Sequence, residues 1–90
     1  MKIFWMDSAI QDRHDIFDYI SGDNLYAAEK MDAVFVGAVD DLALFPFMGR
    51  LGLIQGTMEI VPHKHYRIVY EVTDDAIWVM AVVHTARRWP

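Results

Sequence analysis

The chain has no cysteine among its 90 residues. Disulfides and thiolate-bound zinc are therefore excluded. No apolar run approaches the roughly 20 residues that a membrane-crossing helix needs. The opening Met1-Lys2-Ile3-Phe4-Trp5-Met6-Asp7 meets an acid too early for a secretory signal and lacks a cleavage pattern. The expected location is the cytoplasm. There is no internal repeat, low-complexity tract or linker, and no Gly-rich phosphate loop or Ser/His/Asp nucleophile set. One domain spanning residues 1–90 is expected.

Positive charge is also scarce. Eight Lys and Arg face thirteen Asp and Glu, for a net charge of −5. The split along the chain says more. Residues 1–45 hold three cations against nine anions, whereas residues 46–90 hold five against four. The first half repels phosphate, and the second makes a weak footprint for nucleic acid. Hydrophobic residues are plentiful by contrast, at 54% with six methionines. A domain this small leaves roughly a third or more of its unfolded-chain surface exposed. Apolar area is therefore expected outside, as a protein-binding surface or as self-association of the isolated chain.

Hydrophobic period divides the chain into elements. Ile3-Phe4-Trp5-Met6 reads as a first strand. Asp7 or Ser8 is the expected N-cap of a helix reaching about Ile20, with Ile10, Ile16, Phe17 and Ile20 inward and Asp12, Asp15 and Asp18 solvated. Ser21-Gly22-Asp23-Asn24 breaks it and offers the next cap. A second helix over Leu25–Leu44 buries Leu25, Ala28, Met31, Phe35, Ala38, Val39 and Leu42, while Val34, Val36 and Phe45 leave apolar surface over. The short connection makes the helices an antiparallel hairpin. Pro46 ends it, and Gly49, Gly52 and Gly56 mark a loop. From Thr57 the period becomes two. Strands are expected over Met58–Val61, broken by Pro62, then His65–Val72 and Ile77–Val83, with Thr73-Asp74-Asp75 as the hairpin turn. The expectation is an α+β fold: an N-terminal strand and an antiparallel helical hairpin packed on an antiparallel sheet.

Several stretches carry a family resemblance: Pro46-Phe47-Met48-Gly49-Arg50, Gly56-Thr57-Met58-Glu59-Ile60-Val61, Tyr66-Arg67-Ile68-Val69-Tyr70, and the close His84-Thr85-Ala86-Arg87-Arg88-Trp89-Pro90. With the acidic helical first half, they make the chain resemble the RelE/ParE toxins of type II toxin–antitoxin pairs. The resemblance implies a cognate antitoxin that neutralises the chain in a hetero-oligomer, with DNA engaged only through the antitoxin, and it implies no cofactor. The closing stretch looks like the ParE branch, which inhibits DNA gyrase by occupying a protein surface. Arg50, Met58, Arg87, Arg88 and Trp89 are then the expected target-binding residues, Trp and Arg being the usual hot-spot types.

The other branch is similar to RelE, a ribosome-dependent mRNA endonuclease. That reading makes Glu59 the base, Arg67 or Arg50 the stabiliser of phosphorane charge and His84 the acid. Glu59 and Arg67 read equally well as a cross-strand charge pair. Met58 stands where relatives commonly carry a cation, and the low positive charge argues against RNA. Its loss of charge also opens a third reading, an attenuated member that only binds antitoxin. His63, His65 and His84 could offer imidazoles to zinc or nickel. No carboxylate stands at a ligand spacing, so no metal is expected.

Overall fold

In the computed structural model, which describes residues 1–90, two helices lie on one face of a five-stranded sheet. In chain order the elements are β1 (Lys2–Trp5), α1 (Asp7–Ser21), α2 (Leu25–Leu44), β2 (Arg50–Leu51), β3 (Met58–His63), β4 (Tyr66–Thr73) and β5 (Ala76–His84). The sheet order is β1-β5-β4-β3-β2. The antiparallel meander β3–β4–β5 is present as expected. The sheet as a whole is mixed, because β1 runs parallel to β5, Lys2 opposite Ala76 through Trp5 opposite Val79. This places β5 between two strands, which accounts for its apolar residues on both faces. No helix is long and apolar enough to cross a membrane.

The core forms where α2 meets the sheet. Phe35, Val39 and Leu42 pack on Ile60, Tyr66, Ile68, Tyr70, Ile77 and Val79. Phe35 sets its edge against Tyr66 at a centroid distance of 5.4 Å. The inward set Tyr66, Ile68 and Tyr70 follows the period of two along β4. Asn24 caps α2 by accepting the N–H of Ala27 at 3.0 Å. Leu25, expected inside, is 57% exposed, because the stripe settles on Ala28, Met31, Phe35, Val39 and Leu42 instead.

Helix α1 departs further from its sequence reading. Ile10 is 49% exposed, and Ala9 is the buried residue. The inward stripe is Ala9, Asp12, Arg13 and Ile16, a helical spacing hidden by its two charges. Each charge has a tertiary partner. Arg13 makes a two-pronged ion pair with Asp32 of α2 at 2.9 and 2.8 Å, and its guanidinium lies 4.4 Å from the Trp5 ring centroid. Asp12 accepts the backbone N–H of Val82 at 3.0 Å. Its carboxyl is not part of a solvated face. Burial pushes its pKa up, with the Val82 bond opposing and Asp15 adding to the rise.

The Asp12 contact exists because β5 carries an extra residue. Val69 pairs with Ala81 and Tyr70 with Val79, so Met80 bulges. Beyond Val79 no strand flanks that side of β5. Helix α1 takes over, with Ser8 Oγ donating to Met80 O at 2.7 Å and Asp12 receiving Val82 N–H. Ser8 is therefore not the helix cap; Met6 stands there and makes no side-chain cap bond. Pro62 does not end β3 either. The strand continues to His63 through a register irregularity after Ile60, the kind of site that tolerates a missing N–H.

The two-residue β2 escapes period-based reading. It is held by Tyr70, whose hydroxyl donates to Pro46 O at 2.9 Å and accepts Gly49 N–H at 3.3 Å. A Cβ on Gly49 would stand 2.5 Å from Glu59 O and 2.7 Å from that hydroxyl, so only glycine fits.

The Val82 amide sets a first test. Asp12→Ala should destabilise the fold by about 1–3 kcal/mol, the cost of stranding a buried donor. Asp12→Asn keeps an acceptor without a buried charge and should recover most of it. Urea midpoints of the two variants check this; equal losses would rule out the hydrogen bond as the cause.

Candidate functional site

The residues singled out by sequence distribute over two faces of the sheet. Glu59 pairs with Val69 and with Arg50, and Arg67 pairs with Val83. All of these point away from the helices. There Glu59 Oε1 lies 3.4 Å from an Arg50 terminal nitrogen and 3.8 Å from Arg67 Nε. Arg67 also donates to the carbonyl of Arg87 at 2.8 Å. The result is a polar line across three strands, from Arg50 through Glu59 and Arg67 to the chain's closing segment. Glu59 and Arg67 are buried, with side chains 7% and 11% exposed, while the Arg50 side chain is 65% exposed. Arg67 Nε–H has no hydrogen-bond partner and meets Glu59 by charge alone.

His84 is not with them. It pairs with Tyr66, one residue from the Arg67–Val83 pair, and so faces the helix side. Its ring meets the edge of Tyr66 at 5.6 Å and stacks with His65 at 5.7 Å. The third imidazole, His63, lies 5.4 Å from His65. The Nδ1 atoms of His84 and His63 each accept a backbone N–H, from Ala86 at 3.0 Å and from His65 at 3.2 Å. These rings form no set disposed to hold a metal ion.

Met58 faces the helices. Its partner is Tyr70, and it packs partly buried against the core on the helix side. Alternation along β3 turns it away from the face that carries Glu59. Met58 therefore stands on the other face of the sheet from Arg50 and Glu59, and the charge it lacks is not missing from their face. The closing segment does fit the expectation of exposed groups: Arg87 and Arg88 are exposed, and Trp89 is half-buried.

A groove of about 990 Å³ runs between α1, the free side of β5 and this closing segment. Its apolar lining includes Ile16, Met31, Tyr66, Val82 and Trp89. Asp12 and Asp15 line one wall, and Arg87 and Arg88 the other. Tyr19, at the mouth, is 82% exposed. Sequence reasoning missed this wall of α1. The available signal was Asp12 standing in step with Ala9 and Ile16.

Two measurements follow from this geometry. Arg67→Ala leaves Glu59 buried with only the exposed Arg50, and should cost at least ~2 kcal/mol. The double change Glu59→Gln/Arg67→Met should cost less than Arg67→Ala alone, and a denaturation cycle reads the coupling. The second concerns pH. Partial desolvation, then the charges of Lys64, His63 and His84, holds His65 below its ordinary pKa. The unfolded chain therefore takes up that proton first as pH falls. His65 contributes no loss of stability above about pH 6.5 and a growing one as pH drops through the window below it. His65→Gln should flatten the fall in thermal midpoint across that window; an unchanged slope would remove His65 as its source.

Comparison with known proteins agrees with this architecture. The family model described as the ParE toxin of type II toxin–antitoxin system, parDE, matches residues 3–89. The "Putative toxin Y4kP" of Sinorhizobium fredii is 34% identical over 90 residues, covering 99% of this chain and 93% of that protein. The "Toxin RelE2" of Caulobacter vibrioides is 33% identical over 86 residues, covering 96% and 97%. Among solved structures, a chain from the chromosomal ParDE TA system of P. aeruginosa superposes with a TM-score of 0.81, covering 93% of this chain and 95% of that one. A chain of the RelBE2 toxin–antitoxin complex from Mycobacterium tuberculosis gives 0.71, covering 92% and 95%. Both are 19% identical and speak for the fold alone. With the strand, helical hairpin and meander in place and the match running nearly end to end, the chain belongs to the ParE toxin family within the RelE/ParE group, the toxin side of type II toxin–antitoxin systems.

Proposed function

We propose that the chain acts by binding DNA gyrase and that a cognate antitoxin neutralises it. The observation that carries this reading is the strand register. Arg67 opposite Val83 and His84 opposite Tyr66 put the candidate cation and the candidate acid on opposite faces of one sheet. Acid–base cleavage of a phosphodiester needs base, cation and acid around one reacting phosphate. Glu59 and Arg67 are engaged with each other and with the Arg87 carbonyl, which favours a bracing role for the pair. The net charge of −5 also suits a protein target better than a polynucleotide.

Arg87, Arg88 and Trp89 are the proposed target contacts, with Arg50 at the far end of the same polar line. The antitoxin is proposed to lay a segment in the groove beside α1. Its own charges would answer Asp12 and Asp15 on one wall and Arg87 and Arg88 on the other. Because the groove includes the proposed target contacts, one bound segment would mask them. Contact with DNA falls to the antitoxin in the resulting hetero-oligomer.

The mRNA-endonuclease reading keeps one point in its favour, the 33% identity to a protein named Toxin RelE2. Cell-free-synthesised chain separates the two. The expected result is loss of gyrase supercoiling and accumulation of cleaved DNA complexes, while translated mRNA stays intact. The reverse pattern would overturn the gyrase proposal, and inactivity in both assays would favour the attenuated reading. Arg87→Ala/Arg88→Ala should weaken gyrase inhibition by at least about tenfold. Their side chains are exposed, and Arg67 uses the Arg87 backbone, so the fold should be unaffected.

A further inference from the structure

A second apolar surface lies at the opposite edge of the sheet from the groove. Between the end of α2 and Ile54, the side chains of Phe45, Phe47, Met48, Leu51, Leu53 and Ile54 are exposed by 43% to 86%. At ~150–250 Å² per large side chain, these six present on the order of 800 Å². The largest apolar patch of an ordinary monomer is about 300–600 Å². A stable protein–protein interface takes about 800 Å² from each partner.

Charge narrows the choice of partner. From Leu42 to Met58 the only charged residue is Arg50, and its guanidinium is turned to Glu59. The helical layer carries most of the negative charge, so two copies of the chain repel each other there and least over this patch. The α1–β5 groove, with Asp12 and Asp15 on one wall and Arg87 and Arg88 on the other, carries more charge than this stretch. Shape agrees with self-association. Beside the patch runs a shallow groove of about 570 Å³ between α2 and β3, lined by Val34, Gly37, Met48 and Val61, with Asp41, Arg50 and Glu59 also on its walls. A Cβ on Gly37 would meet nothing within 4 Å, so the groove has room for an incoming side chain. Projecting apolar side chains and a receiving groove on one surface are what a twofold contact needs.

We propose that the Phe45–Ile54 surface is a homodimer interface, in which Phe47 and Leu51 of each copy pack into the α2–β3 groove of the other. Strand β2 lies at the sheet edge but has only two residues, so side-chain packing supplies the contact and strand pairing adds little. The proposal is independent of the gyrase reading.

Sedimentation velocity of the full chain, synthesised cell-free and run over a concentration series, tests it. The expected result is a monomer–dimer equilibrium. Leu51→Asp and Phe47→Asp should each raise the dimer dissociation constant by at least about tenfold. Circular dichroism should show the helix content of both unchanged, and the milder Leu51→Gln should fall between parent and Leu51→Asp. Tyr19→Asp, in the other groove, should leave the equilibrium alone. A parent that stays monomeric, that grows into open-ended aggregates, or whose dimer survives both aspartates would overturn the proposal. So would equal weakening by Tyr19→Asp.

Discussion

The structure depends on how β5 is hydrogen-bonded along the side opposite β4. Over its first half, β1 supplies a parallel partner as far as Val79. Past the bulge at Met80 that partner is gone, and the buried Val82 N–H would be left without an acceptor at a cost of about 1–3 kcal/mol. From α1, Asp12 accepts that N–H and Ser8 donates to the exposed Met80 carbonyl. The same two contacts fix the helix against the sheet. Helix α1 needs them, because Ala9 is its one buried residue. Its attachment is polar where that of α2 is apolar, and the Arg13–Asp32 pair with the Trp5 ring completes it.

This mode of attachment shapes the surface. A helix tethered by short polar side chains at its first turns leaves its later turns standing off β5. The α1–β5 groove opens there, with Tyr19 at its mouth and the closing segment as its far wall. At the other edge of the sheet, a different polar device has a comparable effect. The Tyr70 hydroxyl pins Pro46 and Gly49, and the chain between α2 and β3 turns tightly and directs its large side chains outward. Two apolar surfaces of different chemistry result, one flanked by both signs of charge and one almost uncharged. The core is small enough that neither could be folded inward.

The faces of the sheet divide the ionisable residues in a way that composition does not reveal. Five cations against four anions in the second half of the sequence read as a weak footprint for nucleic acid. In the structure Arg50 and Arg67 are bound to Glu59, and Arg67 also holds the Arg87 carbonyl. The Arg87 and Arg88 side chains stand on the groove wall facing Asp12 and Asp15. Two of the five cations are thus tied to one carboxylate.

Much of this was legible in the amino-acid order, because local periodicity reports local structure. The change from helical spacing to alternation at Thr57 located the meander, and the pair Asp23-Asn24 located the second cap to within one residue. The apolar character of Ile77–Val83 identified a central strand. The family resemblance followed from the same stretches. Three features lay beyond local pattern. The inward roles of Asp12 and Arg13 depend on partners 70 and 19 residues away, so their charges read as solvated. The parallel placement of β1 beside β5 joins the two ends of the chain. Which face each of Met58, Glu59, Arg67 and His84 presents depended on register and on a single extra residue, and shifting a strand by one position exchanges its two faces. The sequence by itself determined the elements and their apolar sides, since these follow from spacing within one segment. Only the tertiary structure decided which charges meet, because hydrogen bonds between distant segments leave no periodic trace.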